Sequence, residues 1–189
     1  MLTNKFISFV IGNSKLEYLF NKNVGKTNPL RWEFGHVLFF WKELILDKLN
    51  IKLNIDNKNI YDSFKTSWSN RFTPNLIDMF SLVRLYEELK INLTNYILLN
   101  DKLSPYQSYL LRLGHLHNEM HNESFIFTLN CLGENPLQYI HFHKKSLIAD
   151  NIMIEVPSGS FKQGTNDGFY FDNESPEFVT NVDTFNISK

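Results

Sequence analysis

The stretch LGHLHNEMHNE, residues 113–123, carries the pattern from which the fold and a candidate site are inferred. It places His117 and His121 four residues apart, and on an α-helix this spacing stacks two side chains on one face, one turn apart. Two imidazoles placed in this way can bind a single metal ion. The same spacing also occurs in surface histidines and in core histidines with hydrogen-bonded nitrogens. The surrounding sequence is therefore needed to distinguish these cases from a metal site.

Length and composition indicate a folded chain with a substantial apolar core. The chain has 189 residues, of which 43% are hydrophobic and 15% aromatic, enough for one domain or for one domain and part of another. Its net charge of -1, with both signs interspersed, predicts neither a nucleic-acid surface nor a membrane patch. A single cysteine, Cys131, excludes an internal disulfide and fits either a reducing compartment or indifference to redox conditions. We expect a cytoplasmic location.

Apolar side chains recur at helical spacing in four segments, which predicts a mainly α four-helix bundle over residues 1–135. The first segment covers residues 2–20. The second begins at Asn28-Pro29, with asparagine as the N-cap and proline at the first helical position. It contains Gly35, and glycine in a helix interior costs about 1 kcal/mol relative to alanine. That cost predicts a close approach by another backbone or by a bound group.

Start and stop signals bound the third and fourth helices. Thr73-Pro74 is predicted to open the third helix. The sequence SPYQ at residues 104–107 matches the capping-box pattern and predicts the start of the fourth helix, which Gly133 and Pro136 then close. The histidine pair therefore falls near the middle of the last helix, at the depth where helix bundles build metal sites.

Residues 50–70 form the long polar connection between the second and third helices, with Tyr61 and Trp68 as its aromatic anchors. Connections longer than a dozen residues are often functional. We therefore expect this segment to lie over a binding site.

The character of the chain changes after Pro136. Residues 136–150 are predicted to be a linker, and residues 151–189 contain strand patterns at 152–156 and at Phe178–Val182 with glycines between them. About forty residues of this kind bury little core of their own. We therefore expect them to belong to a second domain or to form an arm on the bundle.

A metal centre in a protein usually has at least three protein ligands, so the histidine pair needs a third. We favour His36, because it lies on the helix that must pack against the fourth, beside a glycine that allows the helices to approach. His115 falls on a different helix face, whereas His141 and His143 could form a separate pair in the linker. Three imidazoles suit Fe(II), Zn(II) or Cu(II).

Metal-bound imidazoles are oriented by hydrogen bonds to a further polar group. Glu33, Asn118 and Glu123 are the candidates within sequence reach. A glutamate on a helix is more often simply solvated, so the pattern does not choose among the three.

Two groups of motifs resemble a known family. NPLRWEFGH at residues 28–36 and HNEMHNE at residues 117–123 resemble the DinB-like four-helix domain of the iron-dependent sulfoxide synthases of ergothioneine and ovothiol biosynthesis. VPSGSF at 156–161 and FDNESP at 171–176 are similar to the opening of their second domain, which resembles the formylglycine-generating enzyme. The resemblance implies a DinB-like bundle followed, over residues 151–189, by the beginning of a truncated formylglycine-generating-enzyme-like domain.

The resemblance also implies a cofactor, a reaction and site residues. Fe(II) would be held by His36, His117 and His121 and would join a cysteine-type thiol to the imidazole of a histidine derivative with O2, as a sulfoxide. Arg71 is the nearest match to the basic residues that bind substrate carboxylates in the family. The family's catalytic tyrosine belongs to a part of the second domain beyond Lys189, so the catalytic residue is unassigned. The resemblance fits a truncated gene product, a fragment or one half of a split enzyme, and in the last case a partner chain would supply the rest of that domain.

Two other interpretations remain open. In the first, the chain is a non-catalytic relic or interaction module, and an exposed apolar patch is expected where the second domain would lie. In the second, it is a DinB-like zinc-dependent thiol transferase or hydrolase, and Zn(II) replaces Fe(II) at the three histidines.

Overall fold

The computed structural model describes Lys22, Gly25 and residues 27–56, 58–134 and 152–189. The chain divides into two compact units, Met1–His141 and Phe142–Lys189. The described residues form three α-helices in the first unit and four short antiparallel strands in the second. The helix predicted over residues 2–20, and the linker pair His141 and His143, lie outside the described residues.

Helix α1 spans Leu30–Phe40 and continues as a π-helical turn, Trp41–Leu46. The predicted N-cap is wrong, because Pro29 occupies that position and no side chain caps the helix. The Oδ1 atom of Asn28 instead accepts a hydrogen bond of 2.8 Å from Nη1 of Arg71. The side-chain oxygen of Asn28 thus binds Arg71, and it does not accept from the N–H groups at the start of the helix.

Helix α2 spans Met79–Leu99, so the predicted opening at Thr73-Pro74 is about one turn too early. Asp78 is the N-cap, and its two carboxylate oxygens accept hydrogen bonds from the Ser81 N–H at 2.9 Å and the Ser81 hydroxyl at 2.6 Å. Residues Trp68–Phe72 form a short 3-10 helix before it. The carboxylate cap, rather than the proline, determines where the helix begins.

Helix α3 spans Pro105–Cys131, and its predicted start and end are confirmed. Oγ of Ser104 accepts from the N–H of Gln107 at 3.2 Å, and Oε1 of Gln107 accepts from the N–H of Ser104 at 2.7 Å. The helix ends just before Gly133, whose φ of 82° is a left-handed conformation that favours glycine. Among the described helices, none is long and apolar enough to cross a membrane.

The main core of the first unit lies between the three helices and the chain that follows the π-helical turn. Its larger buried members come from each of these elements: Leu30, Phe34, Leu38, Ile45, Leu53, Leu82, Leu89, Leu110 and Phe125. Trp41 packs on α3 at Gly114, where an added Cβ would lie 2.6 Å from the indole. Gly114 is therefore the residue that brings the π-helical turn close to α3.

Gly35 permits a different close approach from the one expected. An added Cβ at Gly35 would lie 2.1 Å from Cε1 of Tyr61, so the glycine accommodates an aromatic ring of the connecting segment. The expectation of a second backbone or a bound group at this position is thus wrong. The Tyr61 ring is fully buried, and its hydroxyl accepts from the N–H of Ile77 at 2.7 Å.

In the second unit, β1 (Met153–Val156) pairs with β4 (Phe185–Ser188), and β2 (Gly159–Gln163) pairs with β3 (Phe178–Val182). Both pairs are antiparallel, with Ile154 opposite Ile187 and Phe161 opposite Thr180. The predicted strands β1 and β3 are confirmed. Strands β2 and β4 were not predicted. They are as short as β1 and β3, but β2 carries a single apolar side chain, Phe161, and the alternation in β4 covers only four residues.

Candidate metal centre

The side chains of His36, His117 and His121 meet between α1 and α3. One ring nitrogen of each lies within 4.8 Å of the corresponding nitrogens of the other two. The ring centroids are 5.4 Å apart for His36 and His117, 5.0 Å for His36 and His121, and 4.6 Å for His117 and His121. Three histidines thus lie close enough to bind one metal ion. His115 is exposed.

The His121 ring is held by a glutamate on the facing helix. Its Nδ1–H donates to Oε1 of Glu33 at 2.7 Å, and the Glu33 side chain is only 1% exposed. With the carboxyl group ionised, its oxygens are acceptors only and Nδ1 is the donor in this bond. The lone pair of Nε2 then remains for an ion, the arrangement found in carboxylate–histidine–metal sites.

The His36 ring is held by the backbone of the connecting segment. Its Nδ1–H donates to the carbonyl oxygen of Tyr61 at 2.8 Å, which again leaves Nε2 for an ion. The Trp32 indole stacks on the ring with a centroid distance of 5.2 Å. Burial lowers the pKa of His36 to about 4, although the hydrogen bond to Tyr61 acts in the opposite direction. The ring is therefore neutral at pH 7, which is the form that binds metals.

The His117 ring is held by packing instead. It stacks on the Phe40 ring with a centroid distance of 3.5 Å and an interplanar angle of 6°. Burial, together with its histidine neighbours His121 and His36, lowers the pKa of His117 to about 2. Its Nδ1 is buried and has no hydrogen-bond partner among the described residues. Buried polar atoms without partners are uncommon, and a cation among the three rings would complete this environment.

Of the three candidates for orienting a ring, Glu33 is the one that contacts a site histidine. Asn118 is instead buried and its Oδ1 accepts from the Tyr86 hydroxyl at 3.4 Å, and Glu123 is exposed. The Tyr61 carbonyl was missed altogether. Sequence gives no indication of which carbonyl in a long connection will face a site, although Tyr61 was recognised as an anchor of that segment.

Arg71 lies beside the aromatic ring that covers His36. Its guanidinium carbon is 4.0 Å from the centroid of the Trp32 ring, a cation–π geometry. Its Nη1 donates to Asn28, and its Nε and Nη2 donate to the Thr66 carbonyl oxygen at 3.3 and 3.2 Å. A role for Arg71 in binding a substrate carboxylate stays a prediction.

The donor set fits a divalent transition metal. Three imidazoles offer nitrogen ligands, and hydrogen bonds from Nδ1 of His36 and His121 leave Nε2 of these two rings available. Iron, zinc and copper all accept such ligands, so the three histidines are close enough to bind a metal ion but do not choose among these three.

In comparisons with known proteins, the chain matches no model of a protein family and no curated protein.

Proposed function

We propose that this chain is the metal-holding part of a non-haem iron sulfoxide synthase that joins a cysteine-type thiol to the imidazole of a histidine derivative. The observation that carries the proposal is the three-histidine cluster, in which Glu33 and the Tyr61 carbonyl orient two rings toward a common point. The motifs at residues 28–36 and 117–123, which resemble that family, supply all three histidines.

The same proposal accounts for the architecture. Helices α1, α2 and α3 would be three members of a DinB-like four-helix bundle, and the segment predicted to be helical at residues 2–20 would be the fourth. The paired strands of residues 153–188 would be the opening of a formylglycine-generating-enzyme-like domain. Both assignments rest on the resemblance of the motifs.

The reaction follows from what each component contributes. His36, His117 and His121 would hold Fe(II), which would supply the redox chemistry with O2. Overall, a C–S bond forms between the thiol sulfur and an imidazole carbon, and one oxygen atom of O2 is added to the sulfur. The S–H and C–H hydrogens leave with the second oxygen atom as water. O2 is thus the oxidant, and the thiol and the imidazole are oxidised.

The chain itself would contribute binding and orientation. Burial keeps His36 and His117 neutral and therefore ready to act as ligands. The Trp32 and Phe40 rings stack on these two imidazoles and limit the access of water to them. Arg71, next to Trp32, would offer its charge to a substrate carboxylate.

Metal content tests the centre. The chain is purified without oxygen, supplied with Fe(II) and analysed for bound metal in the wild type, in His36→Ala and in His115→Ala. We expect stoichiometric iron in the wild type and in His115→Ala, because His115 is exposed, and loss of iron in His36→Ala, because two histidines bind more weakly than three. Equal iron in all three proteins would contradict the assigned ligands.

Product analysis tests the reaction. The Fe(II)-loaded and Zn(II)-loaded proteins are each supplied with cysteine or γ-glutamylcysteine, histidine or its trimethylated form hercynine, and O2. We expect mass spectrometry to detect a sulfoxide with the iron-loaded protein and not with the zinc-loaded protein, and only when a chain that supplies the rest of the second domain is added. Turnover of thiol substrates with zinc and without O2 would instead favour the transferase or hydrolase, and a protein that binds neither metal would favour the interaction module.

A further inference from the structure

Glu33 is an unusual residue to find inside a small helical unit. It lies on α1, three residues before His36, and its side chain is almost completely buried. Carboxyl groups are rarely buried without a partner that compensates for the loss of hydration. Oε1 has such a partner in the Nδ1–H of His121. Oε2 is buried and has no hydrogen-bond partner among the described residues.

The position of Glu33 links the two helices of the metal centre. It reaches from α1, which carries one histidine, to a ring on α3 that is 88 residues away in sequence. Its carboxyl oxygens lie outside the cluster of ligand atoms formed by the three rings. Glu33 therefore touches a ligand without being one, and any effect on an ion must act through His121 and through its own charge.

We propose that Glu33 is a positioning residue of the metal centre, which fixes the His121 ring with Nε2 toward the ion and raises affinity with its buried negative charge. This inference rests on the metal-binding part of the proposed function and is independent of the sulfoxide reaction. The hydrogen bond fixes the tautomer and the orientation of the ring. A cation would also compensate for the charge near the unpartnered Oε2, since Coulomb interactions are strong in a poorly hydrated interior.

The other two rings show why Glu33 has a distinct role. His36 is oriented by a neutral backbone carbonyl, and His117 is placed by stacking on Phe40. Among the three rings, His121 is thus the one held by an acidic side chain. The three candidate ligands accordingly share one carboxylate contact, that of Glu33 with His121.

The test uses Co(II) and Zn(II) alone, with no substrate. Affinities are measured by competition with a coloured chelator for the wild type, Glu33→Gln and Glu123→Gln. Glutamine retains an oxygen acceptor of similar position but loses the charge. We expect Glu33→Gln to weaken binding roughly 10- to 100-fold and to change the visible absorption of bound Co(II). Glu123→Gln makes the same charge change at an exposed position of α3 and should leave both quantities unchanged.

The wild-type chain provides a measurement that needs no variant. Nitrogen-15 NMR of the metal-free protein should show His121 protonated at Nδ1, and this remains decisive if Glu33→Gln fails to fold. Protonation at Nε2, or wild-type metal affinity in a folded Glu33→Gln protein, would overturn the inference. Failure of the wild-type protein to bind either metal would instead overturn the metal centre itself, so the two failures are distinguishable.

Discussion

At the scale of single residues, the candidate centre depends on small groups that let large ones approach. Gly35 has no Cβ, so the Tyr61 ring can lie against α1, and this contact brings the Tyr61 carbonyl to Nδ1 of His36. The Tyr61 hydroxyl, held by the Ile77 N–H, fixes the other end of the side chain. The orientation of this candidate ligand therefore depends on a glycine that is not itself part of the site.

We predict that Gly35→Ala destabilises the protein. In an open helix this change would be favourable by about 1 kcal/mol. Here the added Cβ would lie 2.1 Å from the Tyr61 ring, and overpacking of this kind typically costs about 1–3 kcal/mol. The free energy of unfolding, measured in denaturant, and the affinity for Co(II) should both fall, because the Tyr61 carbonyl is displaced.

The matched control for that change is Gly159→Ala. Nothing lies within 4 Å of a Cβ added at Gly159, so little change in unfolding free energy is expected. A Gly35→Ala protein as stable as the wild type would show that the Tyr61 ring can move without loss.

At the scale of elements, local signals are reliable where a side chain satisfies the helix end itself. The capping box of Ser104 and Gln107 uses neighbouring residues only, and α3 begins where it predicts. The proline at position 74 is a weaker signal, because it permits a helix start without satisfying any N–H group. Asp78, four residues later, satisfies the Ser81 N–H, and α2 begins there.

We predict that Ser104→Ala lowers the free energy of unfolding by about 1 kcal/mol, because the N–H of Gln107 loses its acceptor. Ser108→Ala, one turn further along α3, is the control. At an interior helical position alanine is the better helix former, so no comparable loss is expected there. Equal unfolding midpoints for the wild type and Ser104→Ala would mean that packing, rather than the cap, fixes the start of α3.

At the scale of the whole molecule, burial of two titratable rings connects the candidate centre to global stability. His36 and His117 have folded-state pKa values of about 4 and about 2, below the ordinary value of 6.5, chiefly because burial disfavours their charged forms. In the unfolded chain both rings bind protons near pH 6.5. Below that pH the unfolded state therefore binds more protons than the folded state, and acid favours unfolding.

We predict that the metal-free protein loses stability as the pH falls from 7 to 5, by at most roughly 2 kcal/mol for each of the two rings. Urea unfolding of chelator-treated protein across this range is the measurement. The carboxylates of Asp62 and Asp78, whose pKa values are lowered below 3.8, affect stability only at lower pH. The His117→Gln variant should show a smaller slope, and an unchanged slope in that variant would contradict the assignment.

Residue spacing alone predicts the periodic and local features. These are the helices over much of α1, α2 and α3, the capping box, and the placement of His117 and His121 on one helix face. These follow from spacing along a single element, which needs no knowledge of what lies opposite. It also favoured His36 as the third member of the cluster. The pairing of β2 with β3 and of β1 with β4 did not follow, because short strands gain stability from partners distant in sequence.

The contacts around the candidate ligands depend on the tertiary structure. The Glu33 contact to His121 joins two helices, the Tyr61 carbonyl reaches His36 from a long connection, and Phe40 covers His117. Each of these contacts depends on the relative position of separate elements, which core packing sets and which residue spacing within one element does not encode. For the same reason, residue spacing predicted the three candidate ligands but did not distinguish among Glu33, Asn118 and Glu123 as the residue that orients them.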